Sequence, residues 1–337
     1  MTTTISQSST KVRGLYRNWQ VSEMSVASGG QATLYDIPDT EFIYKKFRGG
    51  PKNHEQWADL RDRLRELSAF GHRVFVKENQ VIGDSDASSF SWPVDVIETD
   101  KVPVGVVMPK ATTQFYREGS SGLRTLEYLY LYRCNPPDSR MRVAVLIRVL
   151  RAFHLLADMQ MVHGDLAPKN IVWALRPGPS VLVLDVDGLH KNGAPYWEYV
   201  QTNEWEDPRV GSKSIPGHDL HSDWYALSLL IMRVLLCARL IVRTGAQARR
   251  KEAPPLQLLP NLIAARLETV FSDPLSALAR PSPREWAAVL SKCFFPSNKP
   301  NVEAFVRLDL AVAQWRRFER RSGNLGPPFA DIRPLLS

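Results

Sequence analysis

The sequence predicts an α+β chain in two lobes, a β-rich N-terminal half with one main helix and a mostly α-helical C-terminal half. Three observations carry that reading. Between residue 13 and about residue 110, short runs such as "ATLYDI", "EFIYKKF", "RVFVKENQVI" and "VPVGVVM" cluster β-branched and aromatic residues between turn formers, the mark of strands. Within that stretch Trp57, Leu60, Leu64 and Leu67 recur at three- and four-residue intervals, the stripe of a single amphipathic helix. After about residue 125 the apolar segments lengthen to helical size, as in "MRVAVLIRVLRAFHLLADM", which is apolar on more than one face and should be buried.

Taken in order, residues 1–12 are polar and rich in Ser and Thr, and are expected to be disordered. The N-terminal lobe spans 13–108 and the C-terminal lobe 109–295, joined near "VVMPKA". The run "WYALSLLIMRVLLCARLIV", 224–242, is long enough to cross a membrane, but Arg233 and Arg239 interrupt it, so a buried helix is expected and no membrane span. "TGAQARRKEAPP" reads as an exposed loop. "SPRE", 282–285, is a capping box with proline at the first helical position. Residues 296–337 form an extension, a helix over roughly 301–320 and a Pro-rich tail. That basic helix is expected to pack on the helical lobe, with docking of a partner as the alternative.

The chain of 337 residues is 44% hydrophobic and 23% charged, ordinary for a globular protein with a real core. Its net charge of +8 favours anionic partners. The basic residues are spread along the chain without a nucleic-acid motif, so nucleic acid is not expected as a partner. Three cysteines with no paired spacing argue against a disulfide framework or zinc site and for a reducing compartment. The first residues lack the apolar core of a signal peptide, and the expected location is cytoplasmic.

The chemistry concentrates in "MVHGDLAPKNIVW", 161–173, and in the apolar run that breaks on "DVDG" at Asp185. A carboxylate, an amide five residues later and a second carboxylate at a strand end suit phosphoryl transfer. That reaction needs a carboxylate to orient a hydroxyl and accept its proton, oxygen ligands for Mg²⁺, and a cation on the phosphates. On "FIYKKFR", Ile43, Lys45 and Phe47 share one face by the two-residue period, which points Lys45 inward and Lys46 to solvent. An isolated H-x-D would more simply be a hydrogen-bonded turn; here the spacing to Asn170 and Asp185 also fits.

H-x-D-x-x-x-x-N, the strand ending in D-x-D, and the β-then-α order together resemble the eukaryotic-like protein kinases, a resemblance covering about residues 20–295. "TNEWEDPR", 202–209, resembles the end of a kinase activation segment, "SDWYALSLL" the helix whose aspartate, here Asp223, steadies the catalytic loop, and "RPSPREW" the late Arg-Pro motif. The resemblance implies a bilobal kinase-like fold and an ATP- and Mg²⁺-dependent protein kinase, with Mn²⁺ as an alternative metal. Thr202 is the Ser/Thr-type feature, and autophosphorylation is a further outcome. By the same resemblance Asp165 is the catalytic carboxylate, Asn170 and Asp185 hold metal, and Lys45 contacts the α- and β-phosphates with Glu66 as its helix partner. Gly29 and Gly30 lie where a glycine-rich loop would cover the phosphates. Lys169, four residues after Asp165, would neutralise the transferred phosphate. "FSWPVDVIETDKVPVGVVMPKA" resembles a bacterial branch found in tellurium-resistance-type operons. That branch implies a protein substrate beside a cognate PP2C-type phosphatase and a von Willebrand A-type protein, and makes Val107, Met108 and Lys110 part of an adenine-facing hinge.

The chain departs from the family at four places. Gly164 replaces the catalytic-loop arginine, Ala167 the usual lysine, Asp187 the glycine of D-F-G, and Arg209 the closing glutamate of A-P-E. With that glutamate gone, Glu206 or Asp207 is expected to pair with Arg280. A pseudokinase or scaffold that binds nucleotide or a partner without turnover is the main alternative, and a small-molecule kinase the second.

Overall fold

A computed structural model describes residues 8–51, 53–77, 86–131, 135–194, 202, 204–238 and 255–321. Cys134, most of the loop expected at 244–255, the end of the apolar run at 239–242 and the tail beyond 321 lie outside the described residues. The chain is α+β and divides into two compact units, Met1–Thr112 with Leu184–Gly188, and Thr113–Val183 with Leu189–Ser337. Leu184–Gly188, expected in the C-terminal half, thus groups with the N-terminal unit.

The first unit opens with a hairpin of β1 (Ser9–Arg13) and β2 (Asn18–Ser22). This corrects the expectation of disorder through residue 12 for the part the structure describes. The strands β3 (Ser25–Ser28), β4 (Ala32–Asp36) and β5 (Phe42–Phe47) precede α1 (His54–His72), and β6 (Asp95–Thr99) and β7 (Val102–Pro109) follow it. They form an antiparallel five-stranded sheet in the order β3-β4-β5-β7-β6. Asn53 caps α1, and the expected stripe buries Leu60, Leu64 and Leu67. The run "RVFVK" is a second correction. It was expected as a strand, but Arg73–Lys77 continues α1 as a π-helical turn, with the Arg73 N–H reaching Ala69 and Phe70 carbonyls.

Asp95 explains why the polar N-terminus folds. Its buried carboxylate accepts from the N–H groups of Leu15 (2.7 Å), Tyr16 (3.2 Å), Arg17 (3.4 Å) and Val96 (2.9 Å), and from Trp19 Nε1 (2.8 Å). A Cβ on Gly14 would lie 2.1 Å from Asp95 Oδ2, so this close approach requires glycine. Trp19 and Val21 then join Ile37, Tyr44, Val94, Ile97 and Val107 in one cluster. Burying a side chain of that size stabilises by roughly 1.5–3 kcal/mol.

The second unit is mostly helical. After the short α2 (Glu127–Tyr130), α3 (Ser139–Asp158) is buried on several faces, as its sequence implied. The pairs β8 (Met161–Val162) with β11 (His190–Lys191), and β9 (Ile171–Ala174) with β10 (Ser180–Val183), frame the 163–170 loop. A short α4 (Pro208–Gly211) leads to α5 (Leu220–Leu236), buried almost throughout and ended by Cys237 in the left-handed region. No helix among the described residues is long and apolar enough to cross a membrane. After α6 (Asn261–Ser272), α7 (Pro283–Phe294) opens on the expected Ser282–Glu285 capping box. It buries Trp286, whose indole N–H donates to Ser228. The last helix, α8 (Val302–Arg321), packs rather than projects. Phe305 stacks on Phe294, and Asp309 accepts from the N–H and hydroxyl of Ser139 and from Arg142.

Candidate functional site

In the first unit Lys45 lies on β5 with its side chain 12% exposed, while Lys46 is exposed, as the strand period predicts. The deepest residue of β5 is Tyr44, on the opposite face. The Lys45 ammonium donates to Asp185 Oδ1 and to Asp187 Oδ1 (2.7 Å). Burial pulls its pKa down, but the Asp187 and Asp185 charges and hydrogen bonds outweigh that and hold it above the ordinary lysine range. The two carboxylates meet one ammonium because Asp185 takes φ +60° and a 3-10 turn, Val186–Gly188, follows it. A left-handed non-glycine residue costs on the order of 1 kcal/mol and tends to mark functional positions. Asp185 remains 37% exposed, whereas Asp187 is 10% exposed.

Glu66, expected as the lysine's partner, is exposed on α1. Gly29 and Gly30 form the tip of the β3–β4 hairpin, where Gly29 N–H bonds the Ala32 carbonyl at 2.9 Å. A Cβ at Gly30 would meet nothing within 4 Å, so the turn itself does not require glycine there. Val107 and Met108 are buried in β7, and the Val107 carbonyl accepts from Val94 N–H. Lys110 is a strut. Its ammonium pairs with Asp36 at 2.6 Å and donates to the carbonyls of Thr40 and Ile37.

In the second unit Asp165 is gripped on both oxygens. Thr202 Oγ1 donates to Oδ1 at 2.8 Å, and Asn170 Nδ2 donates to Oδ2 at 3.0 Å and to the Asp165 carbonyl at 2.8 Å. The 3-10 turn Pro168–Asn170 brings the amide back to the carboxylate. The Asn170 amide oxygen is left as the acceptor of that side chain. Lys169 Nζ stands 4.0 Å from Asp165 Oδ2 on a side chain that is 64% exposed. From the first turn of α5, Asp223 accepts from His163 N–H (2.7 Å) and Gly164 N–H (3.0 Å) and fixes the loop backbone. Burial pushes the Asp223 pKa up to about 6 despite those donors and the nearby His163.

Gly164, in the catalytic-loop position where the resemblance led one to expect an arginine, takes φ +74°. A Cβ there would be strained and would lie 3.4 Å from His218 Nδ1. Arg280 meets its expected substitute: its guanidinium donates to both Asp207 oxygens at 2.7 Å. Arg209, read from sequence as a loss, also belongs to this knot. It binds Asp207 and, at 3.1 and 2.6 Å, Asp219. Burial raises the Asp207 pKa, but hydrogen bonds from Arg280 and Arg209 win and hold it well below the carboxylate range.

Sequence reasoning missed Asp187 as a lysine partner and Asp219 as the second carboxylate of the knot. The available signals were the two-residue D-x-D spacing and the aspartate capping α5. Among the described residues no group of three or more His, Cys, Asp or Glu side chains is arranged to hold a metal. Asp185 in the first unit and Asn170 in the second each carry a hard oxygen of the kind Mg²⁺ takes. No protein-family model matches the chain, and no curated protein matches it.

Proposed function

We propose that the chain is an ATP- and Mg²⁺-dependent protein kinase acting on Ser/Thr hydroxyls. The observation that carries this reading is Asp165, a carboxylate with a threonine hydroxyl hydrogen-bonded at 2.8 Å. It is oriented by Asn170 and set in a loop that Asp223 pins. That is the reach a general base needs to take a proton from a hydroxyl. An acceptor hydroxyl would take the place of the Thr202 contact. As its oxygen bonds to the γ-phosphorus and the bond to the β-phosphate oxygen breaks, its proton passes to Asp165. Lys45 would hold the α- and β-phosphates. Asp185 and Asn170 would hold Mg²⁺, which supplies charge neutralisation on the phosphates.

Incubation with γ-labelled ATP and Mg²⁺, with and without a generic protein acceptor, tests the reading. We expect label on protein. Asp185→Asn should abolish transfer with little change in fold stability, because a neutral amide binds Mg²⁺ far more weakly than a carboxylate and leaves the phosphate charge unneutralised. Near-normal turnover in that variant would move the metal role to Asp187. Nucleotide binding without transfer would favour the pseudokinase reading, for which the glycine-poor hairpin speaks. Label on a small molecule but on no protein would favour the third.

A further inference from the structure

We infer that Asp187 is the positioning residue of Lys45, so that the lysine is held by the same turn that carries Asp185 rather than by a helix. This rests on the phosphotransferase reading for its functional meaning. Three observations support it. Asp187 Oδ1 accepts from Lys45 Nζ at 2.7 Å, with both side chains nearly out of solvent. Asp185, on the same ammonium, keeps more than a third of its side chain exposed, so the two carboxylates divide the work. Both hold the ammonium in this structure; the buried one is shielded from solvent, and the exposed one is the one a metal could reach. Finally, Lys45 approaches from a central strand of a five-stranded sheet, with β4 on one side and β7 on the other. Its backbone is fixed by a neighbour on each side, so the position of the head depends on what its ammonium meets. When Asp185 turns to a cation, Lys45 keeps a partner and does not become an unpaired buried charge, which would be costly.

The consequence is a lysine set in place before nucleotide arrives, through residues only two apart in sequence. The replacement of a glycine by aspartate at this position is then a gain of an anchor.

The test reads Lys45 directly in the nucleotide-free, metal-free protein. Brief treatment with an amine-acylating reagent at pH 8, followed by peptide mass spectrometry, gives the relative acylation rate of Lys45. Loss of the Asp187 contact frees the buried Lys45 ammonium to swing toward solvent and reagent. Asp187→Ala should therefore acylate at Lys45 severalfold faster than the parent. Asp187→Asn, which keeps an acceptor without its charge, should fall between. Thermal unfolding of the isosteric Asn variant confirms that the fold is intact. In the kinase assay KM for ATP should rise by about tenfold while kcat falls less, and Asp187→Glu should restore part of the loss. Unchanged acylation in both the Ala and Asn variants would overturn the inference. So would a rise given instead by Glu66→Gln. If the parent transfers no phosphate, the functional reading fails, and acylation still decides whether Asp187 holds the lysine.

Discussion

The Lys45 cluster and the Asp207 knot are both made of aspartates against cations, yet they are balanced differently. In the knot two arginines, Arg209 and Arg280, face two aspartates, Asp207 and Asp219, and Asp207 and Arg280 are fully buried. Charge cancels, Asp207 also accepts from Ser222, and the terminal nitrogens of Arg280 also donate to the carbonyls of His221 and Pro274. At Lys45 one ammonium faces two carboxylates, and the side chain of the outer one, Asp185, is 37% exposed. A closed, buried network leaves no room for a further ion. A network with a solvent-exposed carboxylate can be reached by a cation. The first arrangement holds the chain together; the second is suited to bind.

The sharpest way to break this comparison is to neutralise each centre in turn. Asp207→Asn leaves two buried guanidinium groups short of a counter-charge, and we expect a loss of roughly 3–5 kcal/mol in urea unfolding. Asp185→Asn, at the open centre, should change unfolding little. Equal losses in the two variants would erase the distinction. Lys169→Met comes next. If its exposed ammonium reaches the transferred phosphate, kcat should drop by roughly tenfold to a thousandfold with ATP binding nearly unchanged. An unaltered kcat would make Lys169 a bystander.

A smaller effect should appear with pH, and the two buried aspartates should pull in opposite directions. Asp223 has a raised folded pKa, so between about pH 4 and 6 the folded state binds the extra proton. Its contribution to stability falls as pH rises through that window, on the order of 1–3 kcal/mol in all. Asp207 has a depressed folded pKa. Its contribution is fully present above about pH 4 and is lost as pH falls below it. Urea midpoints of Asp223→Asn across pH 4–7 should run flatter than those of the parent; parallel curves would remove Asp223 from the account. The smallest change is expected from Arg307→Ala. Its pair with Glu303 on α8 is largely exposed, and such i,i+4 pairs contribute about 0.3–0.5 kcal/mol.

Local grammar was readable in advance. The Trp57-to-Leu67 stripe, the Ser282–Glu285 box and the apolar runs of α3 and α5 are patterns of neighbours within a few residues. The Asp207–Arg280 pair was foreseen as one of two options because a buried arginine must have a partner. Misreadings came where a distant contact or an uninterrupted helix overrode local character. "RVFVK" has strand-like residues but follows α1 without a breaker, so the helix runs on. Lys45 meets Asp187 across 142 positions, a pairing that no local pattern encodes. Ser9–Arg13 looked like a tail because its anchor lies far downstream.

That anchor, Asp95, has a consequence for synthesis. Leu15 and Trp19 meet it 80 and 76 residues later in the chain. On a ribosome adding about 5–20 residues per second, the N-terminal hairpin is made roughly 4–16 seconds before its carboxylate exists. During that interval the Trp19 indole N–H lacks its acceptor, and Val94, Ile97 and Val107 of its cluster are not yet made. The first strands of the chain are thus among the last parts of their unit that can lock, and a label placed before Ser9 would be carried outside the growing fold until residue 95 has emerged.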